Sequence, residues 1–281
     1  MRVTLAQVGP LLGDVDANVA RAEQVVADAV RESSDLVVFP ELFLSGYSIG
    51  SVDADLSMRP DDPRLQRLAK RAGAAGVVVG FVEAGSRGPH TYNSVAFYQG
   101  GRLVHVHRKL YLPAYAPFEE RNHFTPGPTL QAFPVNPDTQ MAVLLCNDAW
   151  QPQLAFLAVQ DGAKVLLVPA ASAQSQFPEH YDSHEYWHDI THFYGRMFQV
   201  YVVFVNRVGS EGPLRFWGGS HVIDPWGNVV VEAGAEEQAL TVDVDLAEVR
   251  RRRHQVPLVK EARLGLLQRE VRRLLEEGGD L

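Results

Sequence analysis

Met141-Ala142-Val143-Leu144-Leu145-Cys146-Asn147-Asp148-Ala149-Trp150 joins an unbroken apolar run to an abrupt polar turn. A run of this kind predicts a strand buried on both faces whose far end opens on a site. The same pattern occurs upstream, where Leu36-Val37-Val38-Phe39 stops at Pro40-Glu41. A third strand pattern, over 102–109, ends in His107-Arg108-Lys109. Around these, strand and helix patterns alternate. Val19, Ala22, Val26 and Ala29 recur at helical spacing, and further helices are predicted over 63–72, 153–160 and 180–197. Residues 91–99 and 102–109, separated by Gly100-Gly101, predict a hairpin. A second strand pair, over 219–224 and 228–232, turns at Pro225-Trp226-Gly227. Strand–helix units mixed with hairpins predict an α/β fold, two sheets covered by helices. No low-complexity linker interrupts the pattern, so one domain is expected over 1–281, with a core to about 246 and a helical tail beyond it. In that tail Leu264, Leu267, Val271 and Leu274 mark an amphipathic helix, expected to pack on its own body or on a second subunit.

A chain of 281 residues with 46% hydrophobic content can bury one large core. The net charge is −8, with both signs spread along most of the chain, which argues against nucleic acid or an anionic membrane as partner. The dense basic run Arg250-Arg251-Arg252-Arg253 is read as a solvated loop or interface patch rather than a phosphate site. A single cysteine allows no internal disulfide and fits a reducing cytoplasm. Residues 1–8 alternate like a strand and lack the apolar region of a signal peptide. No stretch reaches membrane-spanning length, so a soluble cytoplasmic protein is expected.

Glu41, Lys109 and Cys146 each stand at the end of an apolar strand. Together they suit thiolate chemistry on a carbonyl. Cysteine attacks as the thiolate and needs a base, which Glu41 can be. Lys109 and the backbone N–H of Asn147 can hold the developing oxyanion. A carboxylate must also serve the leaving group and then the water, a switch from acid to base open to Glu41. Taken singly, each residue has a plainer reading: a buried apolar cysteine, a solvated glutamate, a solvated lysine.

The surrounding residues resemble three motifs of the nitrilase superfamily, the carbon–nitrogen hydrolases. They are Val37-Val38-Phe39-Pro40-Glu41-Leu42-Phe43-Leu44-Ser45-Gly46-Tyr47, Arg108-Lys109-Leu110-Tyr111-Leu112-Pro113 and Leu144-Leu145-Cys146-Asn147-Asp148-Ala149-Trp150, in the family's order. The resemblance runs from Val3 to about Asp245. It implies an αββα sandwich, pairing of two such sandwiches into a dimer, and no metal or organic cofactor. It also implies a second glutamate after the lysine. The segment Pro117-Phe118-Glu119-Glu120-Arg121-Asn122 is similar to the glutaminase domains of NAD synthetases, and that register assigns the role to Glu120 rather than Glu119 and puts Tyr115 near the substrate. Asn147 and Ser172 complete the substrate-binding candidates.

Two departures from the glutaminase branch, Asn147 directly after the cysteine and Ala170-Ala171-Ser172 after the next strand, turn the reading toward a stand-alone amidase. The expected substrate is a small amide, converted to acid and ammonia through a Cys146 thioester. A glutaminase subunit feeding a separate synthetase and a nitrilase are the alternatives within the family. An alternative of another class rests on His180, His184, His188 and His192, spaced to lie along one side of a helix. Within it, His184-Glu185-Tyr186-Trp187-His188 matches the zinc-protease pattern H-E-x-x-H and allows a metalloprotease or zinc-binding reading.

Overall fold

Each central strand is apolar on both faces, and its two faces find different partners. The computed structural model describes residues 1–278 apart from Arg87, 115–117, Gln176 and Pro178. In chain order the elements are β1 (Arg2–Gln7), α1 (Val15–Arg31), β2 (Leu36–Val38), α2 (Pro63–Ala72), β3 (Gly76–Ala84), β4 (Thr91–Gln99), β5 (Arg102–Arg108), β6 (Phe133–Asn136), β7 (Thr139–Val143), α3 (Pro152–Gln160), β8 (Ala163–Ala170), α4 (Ser183–Phe198), β9 (Tyr201–Asn206), β10 (Val208–Glu211), β11 (Leu214–Trp217), β12 (His221–Ile223), β13 (Val229–Glu232), β14 (Gln238–Asp243), α5 (Leu246–Gln255) and α6 (Leu264–Glu276). One sheet has the order β14-β1-β2-β3-β4-β5 and the other β13-β12-β9-β8-β7-β6. In β3, Val77 and Val79 pack with Val19, Val26, Leu65 and Leu68 of α1 and α2. Val78, between them, faces the other sheet in a cluster with Val143, Val165, Leu167 and Val203. In β8, Leu166 and Val168 pack outward on Leu154, Ala155 and Trp187 of α3 and α4. Side chains that alternate across the pleat therefore build the four layers helix, sheet, sheet, helix, the αββα sandwich that the sequence predicts.

Local chemistry fixes the helix starts. The Asp14 carboxylate accepts the Ala17 N–H ahead of α1, and Asp62 accepts the Arg64 N–H ahead of α2, where Pro63 needs no partner. The hairpin between β4 and β5 turns on Gly100 and Gly101, at φ of 59° and 71°, as a two-residue primed turn requires.

Four readings are corrected. The strand before the cysteine ends at Val143, and Cys146 opens a tight helical turn, Cys146–Trp150. The basic run Arg250–Arg253 lies inside α5, not in a loop, where Asp245 caps the helix and Arg252 covers the Trp226 ring. α4 begins at Ser183, so His180 precedes the helix. The tail helix α6 forms but buries none of its residues, so it does not pack on its own body. β10 and β11 had no counterpart in the sequence reading.

β1, β2 and β3 run parallel, as do β7, β8 and β9. Ligands in such sheets gather at the carboxyl ends of the strands. Glu41 follows β2, Cys146 follows β7, and Ala171 and Ser172 follow β8. Gly80 of β3 is what lets the turn at Glu41 settle. A Cβ there would stand 2.5 Å from Leu42 N and 2.6 Å from Pro40 O, both backbone atoms. Gly80→Ala is expected to destabilise by about 1–3 kcal/mol. Calorimetry should then show a Tm lowered by about 2–10 °C, with turnover lost beyond what unfolding explains, because the displaced turn carries Glu41.

Candidate active site

Lys109 is fully buried and stands between two buried carboxylates. Its Nζ donates to Glu41 Oε1 and to Glu120 Oε1, each at 2.6 Å. Asn93 Nδ2 ties the same carboxylates, donating to Glu41 Oε1 at 2.8 Å and to Glu120 Oε2 at 3.2 Å. Tyr47 donates its hydroxyl to Glu120 Oε1 at 2.6 Å, and the Ala171 N–H donates to Glu41 Oε2 at 2.9 Å. An ammonium has three donors. Two are committed here, which leaves one for a ligand.

Electrostatics follow from this burial. Burial works against the Lys109 ammonium, yet the Glu120 and Glu41 carboxylates outweigh it and hold its pKa well above the ordinary lysine value. Burial raises the pKa of Glu120, with Lys109 opposing and Glu41 adding to the rise. Burial and then the Glu120 and Glu41 carboxylates push the Tyr47 phenol well up. The Cys146 thiol is also pushed well above its ordinary range, by burial and by Glu41, while Lys109 and the Ala171 amide act the other way. The resting side chain of Cys146 is therefore a thiol.

Backbone placement supports that reading. Cys146 has φ of 48° and Leu42, beside Glu41, also 48°, the left-handed region that non-glycine residues adopt under constraint. The constraint at Cys146 is Asp148. Its Oδ1 accepts the N–H groups of Leu110 and Tyr111 at 2.9 Å, and its Oδ2 accepts that of Leu145 at 3.2 Å. His107 Nε2 lies 2.8 Å from Oδ2. One buried carboxylate thus fastens the chain after Lys109 to the turn that carries Cys146.

Cys146 opens on a cavity of about 320 Å³, walled by Tyr47, Phe118, Trp150, Phe177, Tyr181 and Trp187, with Glu120 and Asn147 on its lining. Ser172 also lines it, and its Oγ accepts both Trp187 Nε1, at 2.9 Å, and Trp217 Nε1, at 3.2 Å. A hydroxyl has two acceptor lone pairs and one donor. With both lone pairs used, the site-facing capacity of Ser172 is its O–H.

Residues 2–254 match the carbon–nitrogen hydrolase family. The chain belongs to that family. It is 34% identical over 252 residues to the glutamine-dependent NAD(+) synthetase of Thermotoga maritima, a match that covers 88% of this chain but only 42% of that protein. It is 29% identical over 257 residues to the N-carbamoylputrescine amidase of Arabidopsis thaliana, covering 85% of each. Nit3 of Saccharomyces cerevisiae, a member of branch 10 of the nitrilase superfamily, superposes with a TM-score of 0.79 at 28% identity, over 93% of this chain and 96% of that one. The protein is thus an enzyme of the nitrilase superfamily.

Within this carbon–nitrogen hydrolase, the residues that the sequence singled out fall as follows. Glu41, Lys109 and Glu120 form one hydrogen-bonded group, and Cys146 feels all three charges. Glu119, the rival of Glu120, lies outside the lining of the Cys146 cavity. Asn147 lines the cavity, but its side chain is held by the Tyr111 carbonyl at 3.0 Å. Tyr115 lies outside the described residues. His180 lines the cavity, apart from the His184–His188 pair on α4. Glu185, the base of the protease pattern, is exposed. Sequence reasoning missed Asn93, the hydroxyl of Tyr47 and the part played by His107. A lone asparagine inside a strand carries no signal, and only the pairing of β2, β3 and β4 in one sheet, with the turn at Glu120 folded back on it, brings Asn93 between two carboxylates.

A neutral resting thiol has a measurable signature. The rate of Cys146 alkylation by iodoacetamide should rise with pH only above the ordinary thiol midpoint of about 8.5. Glu41→Gln removes a charge that raises the thiol's pKa, so it should move that midpoint downward while turnover falls.

Proposed function

We propose that this enzyme hydrolyses small, uncharged primary amides to the acid and ammonia through a thioester on Cys146. Cys146 Sγ attacks the amide carbon and its proton passes to Glu41, whose Oε2 carries a single hydrogen bond, from Ala171. Lys109 places its third N–H, and Asn147 its backbone N–H, on the oxyanion. Glu41 returns the proton to the departing ammonia. It then takes one from the water that attacks the thioester carbon and passes it to the departing Cys146 Sγ, which frees the acid and restores the thiol. Glu120, held by Tyr47 and Asn93, keeps Lys109 in place and charged.

The observation that carries the substrate class is the lining of the cavity. Among its described residues there is no lysine, arginine or aspartate, and the one glutamate, Glu120, is committed to Lys109, Tyr47 and Asn93. A glutamine substrate would bring an ammonium and a carboxylate into walls of Tyr47, Phe118, Trp150 and Trp187, and an unpaired charge is costly to bury there. The Ser172 hydroxyl adds one donor for a neutral acceptor on the acyl group. The 34% identity to a glutamine-dependent synthetase supports a second reading, a glutaminase that passes ammonia to another protein.

We also assign a homodimer formed through the outer face of α3 and α4, where Leu157, Tyr186, Phe193 and Met197 are exposed. Among the described residues no helix is long and apolar enough to cross a membrane. The reducing cytoplasm is the compartment that a thiol nucleophile suits.

Ammonia release should favour butyramide or benzamide over L-glutamine by at least about tenfold in kcat/KM, a difference of about 1.4 kcal/mol. Cys146→Ala should abolish release from all of them. Faster Cys146-dependent release from glutamine would instead establish the glutaminase reading. Light scattering should give twice the 31.1 kDa chain mass, and Leu157→Glu with Met197→Glu should return the monomer.

A further inference from the structure

The histidine pair on α4 meets an acidic partner that the sequence did not reveal. His184 and His188 lie one turn apart with ring centroids 4.7 Å from each other. Glu232, the last residue of the edge strand β13, reaches both: its Oε1 lies 2.9 Å from His188 Nε2 and 3.9 Å from His184 Nε2. One ligand atom from each of the three residues falls within 4.8 Å of the others. We propose that His184, His188 and Glu232 bind a divalent transition-metal ion of the zinc class.

Three features carry this. First, a tetrahedral ion with metal–nitrogen bonds of about 2.0–2.1 Å separates its ligand atoms by about 3.3 Å. The two Glu232 edges, 2.9 and 3.9 Å, lie on either side of that value, and the third lies within 4.8 Å. Second, His188 Nε2 is buried and makes no hydrogen bond, although the Glu232 oxygen is near. That carboxylate oxygen and the ring nitrogen face each other across a contact that is not a hydrogen bond, and a metal between them would take both atoms as ligands. Third, the surroundings hold the ligands in place. His221 stacks on His188 with centroids 4.8 Å apart, and Trp217 meets His184 edge-on at 4.7 Å. His221 is no ligand itself, because Nδ1 is engaged by Gly219 O and Nε2 by Thr191 Oγ1. The side chains of His184 and Glu232 stay 46% and 36% exposed, which leaves an entry path and a fourth position for water.

Two imidazoles and one carboxylate favour zinc, cobalt or nickel over magnesium or calcium, which prefer oxygen. The ion would clamp α4 to β13, and α4 carries Trp187, the donor to Ser172 in the cavity. The site therefore stands outside the Cys146 chemistry but is joined to its wall.

The test is calorimetric titration of untagged full-length protein with ZnCl2, in a Cys146→Ala background so that the thiol offers no competing ligand. The expected result is one equivalent of saturable binding, a raised Tm, and visible d–d absorption of a four-coordinate ion when Co2+ replaces Zn2+. His188→Ala and Glu232→Gln should each weaken binding by about tenfold or more, with metal-free Tm unchanged within about 2 °C. Absence of saturable binding would overturn the site. So would one equivalent retained undiminished in the His188→Ala, Glu232→Gln double variant.

Discussion

The buried ammonium of Lys109 is the constraint around which this molecule is arranged. Taking a lysine and two glutamates out of water costs several kcal/mol per ion, and mutual attraction offsets that only where geometry and hydrogen bonding are complete. Here they nearly are. Both Glu120 oxygens and both Glu41 oxygens are engaged, by Lys109, Asn93, Tyr47 and the Ala171 amide. Replacing a buried ion set by apolar residues of similar volume is often neutral or stabilising, so the set is better explained by chemistry than by folding. What remains unspent is one Lys109 donor and one lone pair on Glu41 Oε2, the capacities that an amide carbonyl and a thiol proton require.

Holding such a group to within tenths of an ångström requires supports on every side, and they come from distant parts of the chain. Asp148 locks the segment after β5 to the Cys146 turn. A second buried pair supports the loop beyond Glu41: Glu211 accepts the N–H groups of Tyr47 and Ser48, pairs with Arg207, and is fixed as Arg207 lies over the Phe216 ring at 4.0 Å. The small β10–β11 hairpin exists in this role. Its residues hold up Tyr47, and Tyr47 holds Glu120. The charged centre is thus anchored through two ion networks rather than through apolar packing alone.

The layered fold was legible because burial on both faces forces continuous apolar runs, and those runs stand out at 36–39, 76–82, 141–145 and 165–169. The ends of these runs also gave Glu41 and Cys146. Resemblance, not periodicity, separated Glu120 from Glu119, since two adjacent glutamates in a loop look alike to any pattern. Three features stayed hidden for physical reasons. β10 and β11 contain Gly209, Ser210, Glu211 and Arg215, too polar to mark strands by apolar pattern. α5 carries four consecutive arginines, and its helix depends on the Asp245 cap and the contact of Arg252 with Trp226. The third member of the histidine cluster, Glu232, is 44 residues beyond His188 and joins it only because β13 forms the sheet edge beneath α4.

The raised pKa of Cys146 bears on how a thiol enzyme survives in the absence of substrate. The thiolate is the form that oxidants, alkylating agents and metals attack. Many cysteine enzymes keep it formed by a neighbouring cation, and reactivity is then permanent. Here Lys109 is beside Cys146, but its charge is already committed to two glutamates, and Glu41 adds a charge that disfavours the thiolate. Under the proposed mechanism the nucleophile is consequently generated only when its proton has somewhere to go and the charge on the attacked carbonyl has donors waiting. In the proposed mechanism both conditions are met by an amide carbonyl seated against Lys109 and the Asn147 N–H, in an aromatic cavity of about 320 Å³. On that mechanism, selectivity begins with proton placement, before any contact with the acyl group is made.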